Sequence, residues 1–476
     1  MKKTIYIILA IGMFFGCEDF EDWNVDETNP SSVPASYLVT NAEKNLFTTM
    51  TSTSVNYNIF KLFAQYWNET QYTDEVNYDI RGRDIGGNFF LYLYRDVLND
   101  LQEAKRLIDE DITLSSSYKS TQSGVLEVLE VYTWHVLVDT YGNIPYTESL
   151  LGVDNLTPVY DDDSEIYNDL FARLDNAIVQ LNADSESFGS ADLIYNGSTA
   201  QWIKFANSLK LKMAVRISDY DQDMAQQLAS EAVSQGVLTS NTDNASFPFE
   251  TAPPNTNPVW TSLVQSGRND FVVANTFVDI ISPLNDPRAS VFMDDNVFPY
   301  EGGIYGTGSS YTDFTHIGDA WHTPDLEGII LSYDEVQFLL AEAVERGLVS
   351  GNAESFYQEG IRASITYWGG AQEDIDAYLA QSEVAYNAGN WKESIGVQKY
   401  IALYGRGFEA WSTWRLLDYP NTFIRPVISG EPVPRRYLYG NDEGDVNSVN
   451  YEAASTAMGG DLKSSRVFWD IVGQGN

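Results

Sequence analysis

Apolar side chains recur every three to four positions along most of this chain, a spacing that predicts a mainly helical protein. Residues 37–67 form one long periodic segment, preceded by Pro30 and Pro34, with Ser32 and Ser36 placed to cap it. Residues 89–108 set Leu91, Tyr94, Val97, Leu98, Leu101 and Leu107 along one face. A further helix spans 125–140 and breaks at Gly142 and Pro145. Ser164 is placed to cap the next, which carries Ile166, Leu170, Leu174 and Ile178 as a single stripe. Residues 199–220 and 222–234 pair across a short acidic turn. Residues 333–346 and 353–368 pair across "GLVSGN", and 375–379 and 393–417 add two more helices.

These helix pairs have similar sizes. "FLLAEAVERGLVSGNAESFYQEGIRASI" puts small residues (Ala341, Ala343, Ala363) and the bulky Phe356 where a tetratricopeptide (TPR) repeat places its small and large contacts. A strict 34-residue period is missing, so the pattern alone leaves independent helical hairpins and TPR-like stacking both open. The stretch 239–331 is different: it is rich in Asn, Thr, Pro, Gly and aromatics and has little helical periodicity. "TAPPNTNPVW", "ISPLNDPR" and "YEGGIYGTGSSYTDF" are loop-like, and long loops within a folded domain are places where function concentrates. A second irregular stretch runs from Tyr419 to the end.

The first residues follow another logic. Lys2 and Lys3 precede an apolar run, from Thr4 to Phe15, that is too short to span a bilayer, which takes about 20 residues. This is the layout of a secretory signal, here residues 1–16. The chain's one cysteine, Cys17, stands where cleavage is expected. Gly16-Cys17 after such a run resembles a bacterial lipobox, although Phe14 and Phe15 depart from its usual residues. Cleavage there makes Cys17 the lipidated first residue, and 17–36 an acidic tether beginning Glu18-Asp19-Phe20-Glu21-Asp22. A lone cysteine also excludes an internal disulfide. The alternative is an ordinary signal peptide with an incidental cysteine.

Charge and composition remove several function classes. A formal net charge of −40, from 68 acidic against 28 basic residues, disfavours nucleic acid and anionic membrane surfaces as partners. No metal or cofactor motif emerges. The three histidines are His135, inside an apolar helix and expected in the core, and His316 and His322, in a loop without cysteine. "NDEGDVN" at 441–447 is oxygen-rich but lacks EF-hand spacing and reads as a loop. No nucleophile elbow, P-loop or dinucleotide fingerprint occurs, so no catalytic constellation emerges and the chain is not expected to be an enzyme. With 30 Tyr, 23 Phe and 11 Trp, rings are left over for exposed positions once a core is filled.

Several stretches resemble the SusD/RagB family, in its SusD-like branch. They are "NVDETNPSSVPASYLVTNAE" (24–43), "FAQYWNETQYTDEVNYD" (63–79), "VDTYGNIPYTESL" (138–150), "DPR" (286–288), "ILSYDEVQFLLAEA" (330–343) and "GIRASITYWG" (360–369). The densest match is "QKYIALYGRGFEAWSTWRLLDYP" (398–420), followed by "PVPRRYLYG" (432–440). The resemblance covers nearly the whole mature chain, in order, and implies a single domain over residues 37–476. It implies a superhelix of four TPR-like helix pairs, with the irregular segments packed on one side and carrying the ligand around 239–331. It also implies a lipid-anchored protein on the outer face of the outer membrane of a member of the Bacteroidetes. Such a protein captures oligosaccharides and passes them to a SusC-like TonB-dependent transporter. Peptide uptake, as in RagB-like relatives, is the alternative, and a surface glycoside hydrolase a more distant one.

A sugar presents apolar C–H faces and hydroxyl rims, so its site needs exposed rings flanked by polar side chains. That chemistry selects Tyr66 and Trp67, at a helix end before the polar "NETQYTDE". It also selects Trp260, with Arg268, Asn269 and Asp270 nearby, and Tyr305, Tyr311, Phe314 and Trp321 in the Gly-rich loop. By contrast Trp134, Trp202, Trp368, Trp411 and Trp414 lie in periodic helices and are expected in the core, and Asp286 with Arg288 reads as a structural ion pair.

Overall fold

The computed structural model describes residues 33–181 and 187–471. The signal segment, Cys17 and most of the acidic tether lie outside these residues. The principal helices are α1 (Ala35–Thr51), α2 (Ile85–Leu93), α3 (Asn99–Glu110), α4 (Ser116–Tyr141), α5 (Asp163–Gln180), α6 (Thr199–Arg216) and α7 (Gln222–Gln235). They continue as α8 (Tyr333–Glu345), α9 (Ala353–Tyr367), α10 (Gln372–Leu379), α11 (Trp391–Ala402), α12 (Gly407–Leu417) and α13 (Ser448–Ala457). Four pairs pack side by side: α1 with α2–α3, α4 with α5, α6 with α7, and α8 with α9. This is the arrangement that the amphipathic stripes require, since each buries its apolar face only against a neighbour.

Several boundaries differ from the sequence expectation. The periodic segment 37–67 is not one helix. It stops at Thr51, where "TSTSVNYN" offers side chains that compete with the helical backbone. Asn58 donates to the Thr49 and Met50 carbonyls (2.7 and 3.2 Å), and the Lys61 ammonium to those of Thr51 and Ser52 (2.7 and 2.9 Å). These bonds satisfy the free carbonyls of the helix end. At α5 the cap is Asp162, which accepts from the Ser164 and Glu165 amides, and Ser164 lies within the first turn. The segment 393–417 is two helices, α11 and α12. Between them Gly405 has φ +88°, and a Cβ there would lie 1.9 Å from the Trp321 ring, so glycine alone permits both the turn and the close approach. The 441–447 stretch, expected as a loop, contains the short helix Glu443–Val446.

The irregular region is stitched into the helices by two short antiparallel ribbons. β1 (Trp67–Glu69) pairs with β3 (Phe271–Val273), with Trp67 opposite Val273 and Glu69 opposite Phe271. β2 (Ala245–Phe247) pairs with β4 (Gly328–Leu331), and Phe247 stacks on Phe47 of α1 at 5.4 Å. Charge is also buried between helices. Lys212 of α6 reaches Glu335 of α8 (2.9 Å) and Glu409 of α12 (2.8 Å), and Arg216 reaches Asp139 of α4 (3.2 Å). Asp286 and Arg288 form a buried bidentate pair at 2.6 and 2.9 Å. No helix among the described residues is long and apolar enough to cross a membrane.

Candidate functional site

The β1–β3 ribbon determines which rings are hidden and which are offered to solvent. All three residues of β1 and those just before it are buried and belong to the core. Tyr66 is fully buried, stacks on Tyr400 at 4.6 Å and donates to the Tyr400 carbonyl. Trp67 is fully buried and donates its indole N–H to the Tyr404 hydroxyl (2.8 Å). Tyr305 is fully buried and donates to the Leu62 carbonyl (2.6 Å). Trp321 is 6% exposed and packs on Trp67, Trp368 and Tyr404. These four rings, expected to face a ligand, instead form an aromatic core. The loop-like sequence around them misleads, because its backbone is held by side chains such as Asn68, which donates to the Thr307 carbonyl (2.8 Å), rather than by helix periodicity.

Immediately past β1 the chain turns outward. Thr70 continues the ribbon, its amide donating to the Asp270 carbonyl (2.9 Å) and its hydroxyl to that of Asn269 (2.5 Å). Tyr72 follows with φ +55° and is 67% exposed. A non-glycine residue held in the left-handed region while presenting a bare ring is the kind of strain that marks functional surfaces. The ring borders an open cleft of about 410 Å3. Its other walls are 53–56 after α1, Arg83, and the segment carrying Ser262, Ser266, Arg268, Asp270 and Phe271. The volume falls within the usual range for small-ligand clefts, about 300–1,000 Å3.

Arg268 and Asp270, both selected from the sequence, meet in this cleft as an exposed bidentate pair at 2.6 and 2.9 Å. Trp260 is half-buried, two residues before the wall residue Ser262. Tyr311 lines none of this cleft: it stacks on His316 at 3.7 Å, in a separate loop, and Phe314 is half-buried there. Arg83 donates to Glu75 at 2.5 Å beneath the cleft. Burial, and then the neighbouring Glu75, push the Glu69 carboxyl up to about 9. Tyr72 and Arg83 are the residues missed from the sequence. The available signal, for Tyr72 alone, was a single aromatic in the polar run "NETQYTDEVN".

The cleft offers a planar apolar face, the Arg268–Asp270 ion pair, the Arg83 guanidinium, and several hydroxyl and amide groups. That set matches a neutral polyhydroxylated ligand, which stacks on a ring and trades hydrogen bonds at its edges. Among the described residues no three His, Cys, Asp or Glu side chains are grouped to hold a metal ion.

A second surface feature lies elsewhere. Leu151, Val153 and Leu156, in the loop between α4 and α5, are exposed, as are Val446, at the end of the short helix Glu443–Val446, and Val449, at the start of α13. Asn447 and Asn450 tie the two segments together through the Pro158 and Thr157 carbonyls (2.8 and 2.9 Å).

The molecule is thus a helical scaffold of four stacked pairs that presents an open, aromatic-edged polar cleft. The chain belongs to the SusD-like family described as starch-binding and associating with the outer membrane, whose profile matches residues 27–440. Among solved structures it is similar to a chitin-binding protein, with 27% identity over 92% of this chain and all of the other, at a TM-score of 0.79. It is similar also to a chitin-binding SusD homologue from Flavobacterium johnsoniae, with 25% identity over 92% of this chain and 99% of the other, at a TM-score of 0.79. A SusD homologue from Bacteroides uniformis shares the fold, at 24% identity, over 92% of this chain and 100% of the other, with a TM-score of 0.78. No curated protein matches the sequence.

Proposed function

We propose that this protein captures oligosaccharides in the Tyr72 cleft and delivers them to a SusC-like TonB-dependent transporter, while anchored to the outer face of the outer membrane through lipid on Cys17. The observation that carries the reading is the exposed Tyr72 ring, strained at φ +55°, set beside the Arg268–Asp270 pair. The solved relatives that bind chitin make chito-oligosaccharides the first ligands to try. The exposed apolar face formed by Leu151, Val153, Leu156, Val446 and Val449 is a surface on which a large partner can seat, since patches of this kind mark interaction sites. Isothermal titration with chitohexaose and, in parallel, maltohexaose tests the ligand class. Binding of either sugar without bond cleavage supports the reading, and release of reducing ends, or no binding across a glycan panel, contradicts it.

The anchor makes its own prediction. Two or three acyl chains hold a protein firmly to a bilayer, whereas a single chain binds only marginally. Cys17→Ala leaves no disulfide to lose, so the protein is expected to fold normally and to move from the membrane pellet to the soluble fraction. Fractionation of cells lacking the transporter measures this. A mutant that still pellets with outer membranes rules out the lipid anchor.

A further inference from the structure

Beneath the cleft lies a feature that ligand contact does not explain. Glu69, the last residue of β1, and Glu75, in the loop carrying Tyr72, are both buried, 3% and 1% exposed. Their carboxyl groups lie within hydrogen-bond reach of each other. Glu69 accepts the Val76 amide (3.0 Å), and Glu75 accepts from Arg83 through one oxygen (2.5 Å). The other Glu75 oxygen is fully buried and accepts no hydrogen bond from any donor. We propose that Glu69 and Glu75 share a single proton, and that this pair holds the 70–83 loop, with Tyr72 and Arg83, in the shape that forms the cleft.

The physical argument is charge counting in a dry place. Two carboxylates side by side repel strongly when buried, and one of them keeps its proton instead. The proton on Glu69 gives the second Glu75 oxygen the donor it lacks. The surroundings reinforce this. In the same loop Asp74 adds negative charge, and both cations are already paired, Arg83 with Glu75 and Arg81 with Asp461; Tyr78 is buried and neutral. From the segment 302–309, Tyr305 faces Glu69 as a buried neutral phenol. Across the ribbon, Glu69 is opposite the uncharged Phe271, and neighbouring Asp270 is engaged by Arg268. On the preceding segment Lys61 is bound to the Thr51 and Ser52 carbonyls. The direction follows: the Glu69 carboxyl is raised above its ordinary value, so the pair is intact at neutral pH and is lost as pH climbs toward about 9. Glu69 and Glu75 are therefore positioning residues: they set the rim of the cleft without touching a ligand.

This inference rests on the glycan-binding reading for its consequence but not for its test. Hydrogen–deuterium exchange of the 70–83 amides in the full-length protein, corrected for intrinsic rate, reads the loop directly at pH 7 and pH 10. In the wild type, protection is expected to fall about tenfold between these values, because the shared proton is gone and the loop opens more often. Glu69→Gln carries a permanent donor in place of the proton. It is expected to keep the pH 7 protection and to lose the pH step. Glu75→Gln serves if the first variant does not fold, with the same expectation, and a carboxyl 13C titration of the wild type reads the proton without any variant. A wild type with no step, a Gln variant with the wild-type step, or two carboxyls that titrate independently in the ordinary acid range overturns the proposal. Chitohexaose affinity is measured in the same samples. A loop that opens while affinity stays constant supports the proton pair and counts against the Tyr72 cleft as the sugar site.

Discussion

Trp67→Ala will strip the protein of about 3–5 kcal/mol of stability, the range for removing a large buried ring. The indole is fully buried, tilted against Phe271 at 5.7 Å and edge-on to Trp321 at 6.5 Å. Lys61 lies over the same ring at 5.6 Å, and the indole N–H is bonded to Tyr404. Truncation opens a cavity and removes a buried donor from the Tyr404 hydroxyl at once, two costs that add. Urea unfolding at pH 7 measures the change. A loss below about 1 kcal/mol would show that the ring is not packed as described and would return Trp67 to the list of ligand contacts.

Glu409→Ala is expected to cost a similar amount, about 3–5 kcal/mol, by a different route. Its carboxylate is one of two acids that neutralise buried Lys212, and it lies 3.5 Å from Arg216. Removing one partner of a buried ionic cluster leaves charge uncompensated in a low dielectric. Burial alone pushes Glu409 up, but Lys212, then Arg216 and His135, outweigh it and hold the carboxyl down at about 2. The sign of the pH dependence follows. A carboxylate depressed in the folded state stabilises above its ordinary value of 4.5, and that contribution is lost as pH falls toward about 2. The stability gap between wild type and Glu409→Ala should therefore be full at pH 7 and close progressively between pH 4.5 and 2. A gap that stays constant on acidification would contradict the buried-pair account.

Much of this fold is legible in the sequence, and particular residues show why. The stripes Ile166–Leu170–Leu174 and Leu98–Leu101 sit at helical spacing, and all five residues are buried, the first three in α5, Leu98 just before α3 and Leu101 within it. Helical periodicity is local, so it survives being read one window at a time. The β1–β3 ribbon is not local: its three-residue strands pair across a long stretch of chain, Asn68 with Val272 at the centre, and carry no period of their own. That is why Tyr66 and Trp67 looked like rings offered at a helix end, and Tyr305 and Trp321 like loop rings, while all four are core. Arg268 and Asp270 were legible as a polar pair beside a ring in a Pro/Asn loop, and the structure places both on the cleft. Tyr72 was not, because what exposes it is a left-handed backbone just past a strand whose existence depends on that distant partner.

The central claim is that Tyr72 and its neighbours hold a sugar. Its most direct test is isothermal titration of chitohexaose, or whichever oligosaccharide the panel shows to bind, into wild type and Tyr72→Ala at pH 7, with melting temperatures recorded on the same samples. A stacked ring that carries an interface is worth about 1–3 kcal/mol, so affinity is expected to fall about 10- to 100-fold. The melting temperature should hold or rise slightly, because the exposed ring contributes little packing and its left-handed backbone is strained. Unchanged affinity in a Tyr72→Ala protein that melts like the wild type would contradict the account and move the sugar site off this cleft.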